Sequence, residues 1–396
     1  MTPDHERDDD ARLFDGGPPL RLLRLWGRFD HSHRGVWRRA LVVVCIGWLP
    51  LLGFAALALA NGQDGVWRAF LRDASVHARS LVAAPLLVLA EAICIPRLGA
   101  LAAVFCERGI VPASAVPAYS VLLSGIRRLR DSWVVEAFAV VVAFVAALLI
   151  IRYVPASFLP DWHRGDASAP LARSLASWWH ALVSLPLLLV LVFGWAWRLF
   201  LWARYLWLVS RLPLRLVAPH PEGAAGLMFV GYSLRAFSIP ASAAGAVVAA
   251  TALAHIWAGG QGGPEMLGRL ALATVVVVLA CCVAPLLAFS GQLLRNWQRG
   301  IVTYGALVQR VGVALEDKWM QCARDQPAID PLSTGDFSAA TDFFQTADKA
   351  FSQRLTAIDL RSLFALTGAT ALPFGLVALA LVPFDQVLQE LVGLFL

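Results

Sequence analysis

Residues 40–60, ALVVVCIGWLPLLGFAALALA, run for 21 positions without a charge. A helix of that length reaches about 30 Å, the thickness of a bilayer's hydrocarbon core. The closing Ala58-Leu59-Ala60 has the form of a signal-peptidase site. However, 39 residues precede the run, and it exceeds the usual h-region of about 7–15 residues. The segment therefore reads as an uncleaved anchor.

Six further apolar segments follow, near 81–105, 133–151, 178–197, 239–257, 270–289 and 363–382. The second is the least regular. Leu81–Ile95 carries Glu91 and meets Pro96, so it either bends and continues to Phe105 or re-enters the bilayer. Charged residues make up 15% of the chain, against about 25% in soluble domains. The chain is predicted to be all-α, a polytopic transmembrane helix bundle of about seven spans with cytoplasmic amphipathic helices. The expected organisation is a tail with an interfacial helix (1–39), a bundle (40–320), a linker with an amphipathic helix (321–361), and a last span with a C-terminal amphipathic segment (362–396).

Loop charge gives orientation. From the N-terminal tail onward, with Arg97 after Ile95 counted in the third connection, the connections carry 8, 3, 5, 3, 5, 1, 8 and 0 Lys or Arg. Cytoplasmic loops carry the excess, so the N-terminus is expected in the cytoplasm of a bacterial inner membrane and the C-terminus outside. No nucleic-acid motif or continuous basic stripe accompanies the net charge of +6. In LRLLRLWGRF, Arg21, Arg24 and Arg28 share one helical face, opposite Leu22, Trp26 and Phe29. That pattern suits a helix on anionic lipid, or one packed on its own loops.

The charged residues inside apolar segments are the functional candidates. Glu91 is the most deeply placed acid and needs a partner, a wet cavity or a proton. Glu136, His180 and His255 lie nearer to span ends. Arg198, Trp202 and Tyr205 share a helical face and read as an interfacial anchor. The elbow Pro219-His220-Pro221-Glu222-Gly223 ends one helix and opens the next, putting Glu222 near a helix N-terminus. Arg235 is expected to pair with Glu222 or a phosphate headgroup. Ala241, Gly245 and Ala249 recur at four-residue steps, the spacing that lets transmembrane helices approach closely. They suit the bundle centre, a subunit interface of a homo-oligomer, or a pore. In the stretch 336–355, Phe337, Ala340, Phe344, Ala347, Phe351 and Leu355 form an apolar stripe.

His220-Pro221-Glu222 with Ala224-Ala225-Gly226-Leu227, the Lys318-Trp319 pair, and Gly335-Asp336-Phe337 through Phe351 carry a resemblance. They are similar to segments of a family of uncharacterised bacterial inner-membrane proteins. Glu222 stands where those relatives usually have Asp, and Met228 where they have Gly. The resemblance implies an inner-membrane bundle with a cytoplasmic helix before its last span, and no particular activity.

Two function classes remain. One is a channel or transporter with Glu91, His220, Glu222 and Arg235 lining or gating a path. The other is a membrane scaffold that docks a partner through the 337–355 helix. No nucleophile–base pairing, cofactor motif or metal-ligand spacing is visible, so an enzyme, a cofactor and a metal are not expected.

Overall fold

The structure, a computed structural model, describes residues 13–14, 16, 33–153, 161–163, 174–259, 263–321 and 335–381. These residues form helices and turns, with no strand among them. Seven helical stretches are long and apolar enough to cross a membrane: Gly35–Ala60, Ala74–Glu107, Ala113–Tyr153, Leu175–Val209, Ser238–Trp257, Glu265–Trp319 and Leu360–Leu381, hereafter spans 1 to 7. Helices suit this setting because they satisfy every interior backbone N–H and C=O within the segment. Span 2 is continuous from Ala74 to Glu107 with Pro96 inside it. Its full length is enough to cross a bilayer without a break.

Spans 1, 2 and 4 pack on one another, with span 3 against span 4. Span 5 packs on spans 2, 6 and 7, and spans 6 and 7 meet each other. The small residues of span 5 explain its place. Ala241 and Ala249 are buried, and a Cβ on Gly245 would collide with the carbonyl oxygen of Thr370 in span 7. Only a residue without a side chain allows those two backbones to come so close.

Several helices continue beyond the apolar layer. Span 6 passes through a 3-10 stretch, Ala284–Phe289, into the long helix Ser290–Glu316. The helix Asp336–Phe351 packs on it. Within the expected stripe only the alanines pack inward: Ala340 and Ala347 are buried, joined by Ala350, while Phe337, Phe344, Phe351 and Leu355 are exposed. Small side chains seat the two helices closely and leave the large ones on the outer flank.

One end of the bundle gathers the arginine-rich connections. Phe14 of the N-terminal tail packs edge-on against Trp202 and Tyr205 of span 4, and Arg130 donates to the Leu13 carbonyl at 2.9 Å. Gln292 donates to the carbonyls of Ser210 and Leu212, and Trp297 to that of Phe351. At the opposite end the connection from span 1 to span 2 meets the one from span 3 to span 4, through Phe70 and Trp162. The interfacial helix at 20–29 and the C-terminal segment after 381 lie outside the described residues.

Candidate functional site

Glu91 sits midway along span 2 with its side chain 5% exposed. Its Oε1 accepts from Arg198 Nη2 of span 4 at 2.8 Å. Its Oε2 accepts from Arg39 Nη1 of span 1 at 3.1 Å. Arg198 is 2% exposed and Arg39 13%. One carboxylate thus ties three spans together at the point where they converge. The Trp195 ring lies 5.1 Å from the Arg198 guanidinium carbon, a cation–π contact one turn before it.

Of the partner, wet cavity or proton that Glu91 was expected to need, the structure supplies the partner, in the form of two arginines. A second expectation is corrected. Arg198, Trp202 and Tyr205 do share a face, but that face points into the core, and all three are buried. Tyr205 and Tyr119 share a hydrogen bond at 2.9 Å, and Tyr119 also donates to the Ala102 carbonyl. Trp202 and Tyr205 are therefore interior packing, while Phe200 and Trp207 of the same span are exposed.

The same three spans enclose a second polar feature towards the other end. Val43, Gly47, Arg79, Ser80, Ala84, His180, Ser184 and Leu188 line a pocket with room for about one water, ≈ 10 Å³ for its centre. Both flanking helices open into a π-helical turn there, Ala78–Ala83 in span 2 and His180–Ser184 in span 4. Such turns bulge a helix and recur at functional sites. Ser184 donates to the Gly47 carbonyl at 2.6 Å. His180 Nδ1 is buried without a hydrogen-bond partner among the described residues.

A third layer closes the far side of the pocket. Trp48 Nε1 donates to His77 Nδ1 at 3.0 Å, so Nδ1 is the acceptor and Nε2–H is left to donate to the Phe70 carbonyl. Asp73 caps the start of span 2 through the N–H groups of Ser75 and Val76. Its other oxygen accepts from Trp162 Nε1. His163 stacks on Trp162 and hydrogen-bonds Ser177, with His180 beyond it. These histidines do not build a metal site; no suitable group of His, Cys, Asp or Glu exists among the described residues.

His220, Glu222 and Arg235 lie at the arginine-rich end, apart from Glu91. The elbow is knitted into its neighbours. Gly223, Ala225 and Gly226 take positive φ values of 76°, 52° and 91°, and the Gly223 carbonyl accepts from Arg354 N–H at 2.7 Å. Glu222 is not at the opening of span 5. A 3-10 turn, Met228–Tyr232, and a short helix, Ser233–Ala236, intervene, and Glu222 pairs with Arg108 at 3.2 Å. His220 Nδ1 accepts from the Glu222 N–H. Arg235 pairs with Asp359 at 3.5 Å, not with Glu222. Burial alone raises the Asp359 carboxyl, but hydrogen bonds from the Ser362 hydroxyl and N–H, with Arg235 beside it, hold it below the ordinary carboxylate range. Among the described residues no bond links Glu91 to His220, Glu222 or Arg235. His255 is exposed and Glu136 buried.

Sequence reading missed Arg39 and Arg198 as site residues because both were counted as loop charges. The available signal was the rule that an acid buried in a span needs a cation at matching depth.

Seven apolar helices, three of them tied together by a buried charge triad, define a multi-pass integral membrane protein. No family model matches its sequence, and no curated protein or solved structure is detectably similar to it.

Proposed function

We propose that the protein is a channel or transporter for ions or small solutes, held here in a closed arrangement, with the interface of spans 1, 2 and 4 as its path. One observation carries this reading: the Arg39–Glu91–Arg198 triad and the His180 pocket lie on the same three-span interface. Ser80 and Glu91 are eleven residues apart on span 2, or about 16 Å of helix. Between them the interface is apolar, through Leu87, Leu188 and Leu191. Buried charges that pair across spans mark ion and proton pathways in membrane proteins, and a scaffold gains little from a desolvated triad. Glu91 acts as the inner gate, and His180 lines the outer vestibule. His220, Glu222 and Arg235 brace the cytoplasmic ends of the spans instead of lining the path.

In this reading the arginine-rich end is cytoplasmic and the membrane is a bacterial inner membrane, in keeping with the positive-inside rule. The likeness of the elbow to the inner-membrane family fits the same setting. No enzymatic step enters.

The test is solute flux through liposomes containing the purified protein. Flux above empty liposomes that changes on Glu91→Gln supports the proposal. A second reading, a docking scaffold, draws on the exposed Phe337, Phe344 and Phe351 flank. Absence of flux, with a partner that co-purifies and is lost on Phe344→Ser, would favour it.

A further inference from the structure

We infer that the triad is an anion site whose resident occupant is the Glu91 carboxylate, and that its exchangeable ligand is a small halide-sized anion such as chloride. This deepens the transport reading and rests on it for passage along the seam, though binding can be tested separately.

The donors around Glu91 outnumber what one carboxylate accepts. Arg198 uses Nη2 on Glu91, while its Nε and Nη1 are buried with no acceptor among the described residues. Trp202, one turn further along the same face, buries its indole Nε1–H in the same condition. Orphaned N–H groups this deep are rare in folded proteins, and an unplaced ion or water is a standard reason for them. Guanidinium groups stay protonated in such surroundings. Two of them close on one carboxylate oxygen pair, so the local chemistry is that of an anion receptor.

The size class follows from the packing. Glu91 and Arg198 are buried, as are Leu191, Trp195 and Trp202 on the neighbouring turns of span 4. An anion therefore takes up roughly the room a carboxylate vacates, and a monatomic halide is the ligand of that scale. When Glu91 turns away, two buried cations remain, and leaving them without a counter-charge is strongly unfavourable. Carboxylate and anion thus compete for one place. Exchange between them opens the seam and loads it.

The experiment measures equilibrium binding of radiolabelled chloride to the detergent-purified full chain in gluconate buffer. Glu91→Gln removes the resident competitor and is expected to tighten chloride binding at least tenfold over the unaltered chain. Adding Arg198→Gln to it abolishes binding. Glu91→Asp, with a shorter reach, gives an intermediate affinity and serves if Glu91→Gln does not remain monodisperse. Arg198→Lys keeps the charge but not the fork, and weakens binding without abolishing it.

Chloride binding that is absent in both Glu91 variants, or indifferent to Arg198→Gln, overturns the inference and leaves water as the partner of those N–H groups. The liposome arm separates the two readings. Chloride binding that depends on Arg198, with no flux of any solute, upholds the site and refutes transport. Cation flux without chloride binding upholds transport and refutes the anion.

Discussion

Substituting Glu91 by Gln in chloride-free buffer tests the energetics of the triad. The carboxylate accepts from two guanidinium groups, at 2.8 and 3.1 Å. Removing its charge leaves both cations in the interior. Breaking a buried pair by deleting one partner costs about 3–5 kcal/mol, because the survivor keeps its desolvation penalty. The two arginines should contribute unequally. Arg198 is 2% exposed and Arg39 13%, so a double-mutant cycle with Met should give the larger coupling to Glu91–Arg198. The triple variant Arg39→Met, Glu91→Leu, Arg198→Met removes all three charges together. It should recover to within about 1 kcal/mol of the unaltered protein, or exceed it, as apolar replacements of buried ion networks do. The assay is reversible denaturant unfolding in micelles, followed by tryptophan fluorescence. Titrating chloride back should rescue Glu91→Gln far more than the unaltered chain, since a ligand stabilises only the state that binds it. A Glu91→Gln protein within about 0.5 kcal/mol of the unaltered one, the scatter of neutral surface changes, would refute the reasoning. So would a triple variant no better than the single one.

Three other perturbations follow from the packing. Gly245→Ala puts a methyl group against the Thr370 backbone, where neither helix can yield, and should cost about 1–3 kcal/mol; Gly268→Ala, which meets nothing within contact range, is the unfolding control. Asp73→Ala removes the cap of span 2 and the acceptor of Trp162. It should destabilise by about 1–2 kcal/mol and raise protease sensitivity in the connection between spans 3 and 4. Asp359 has a depressed carboxyl, so its contribution to stability is complete above the unfolded value of 3.8 and fades as pH falls through its lower folded value. An acid titration of stability should therefore lose that increment in Asp359→Asn, and an unchanged acid limb would count against the pair with Arg235.

The spans were legible because a bilayer imposes one demand on every crossing segment, and hydropathy reports it directly. The close approach at Gly245 was legible for a related reason: small residues at four-residue steps have few other uses in lipid. Partnership was harder to read. Arg39 and Arg198 sit at the margins of apolar runs, where the same residue serves as a topology signal or as a buried counter-ion. Only the depth at which spans 1, 2 and 4 cross decides between these roles. The Asp336–Phe351 helix failed differently. Its periodicity was real, but within the stripe burial went to Ala340 and Ala347 and not to the phenylalanines, because helices at close range favour small contacts over large ones. The π-helical turns beside His180 have no sequence pattern of their own. They arise from how spans 2 and 4 accommodate each other.

Whether spans 1, 2 and 4 enclose the path is measured most directly by inhibition of liposome flux with a small water-soluble thiol reagent in a cysteine-free background. It compares Leu188→Cys in the buried pocket with Val276→Cys on the exposed flank of span 6. Flux that stops with Leu188→Cys and persists with Val276→Cys is the predicted result. Flux that ignores modification at Leu188 and stops with modification at Val276 would contradict it.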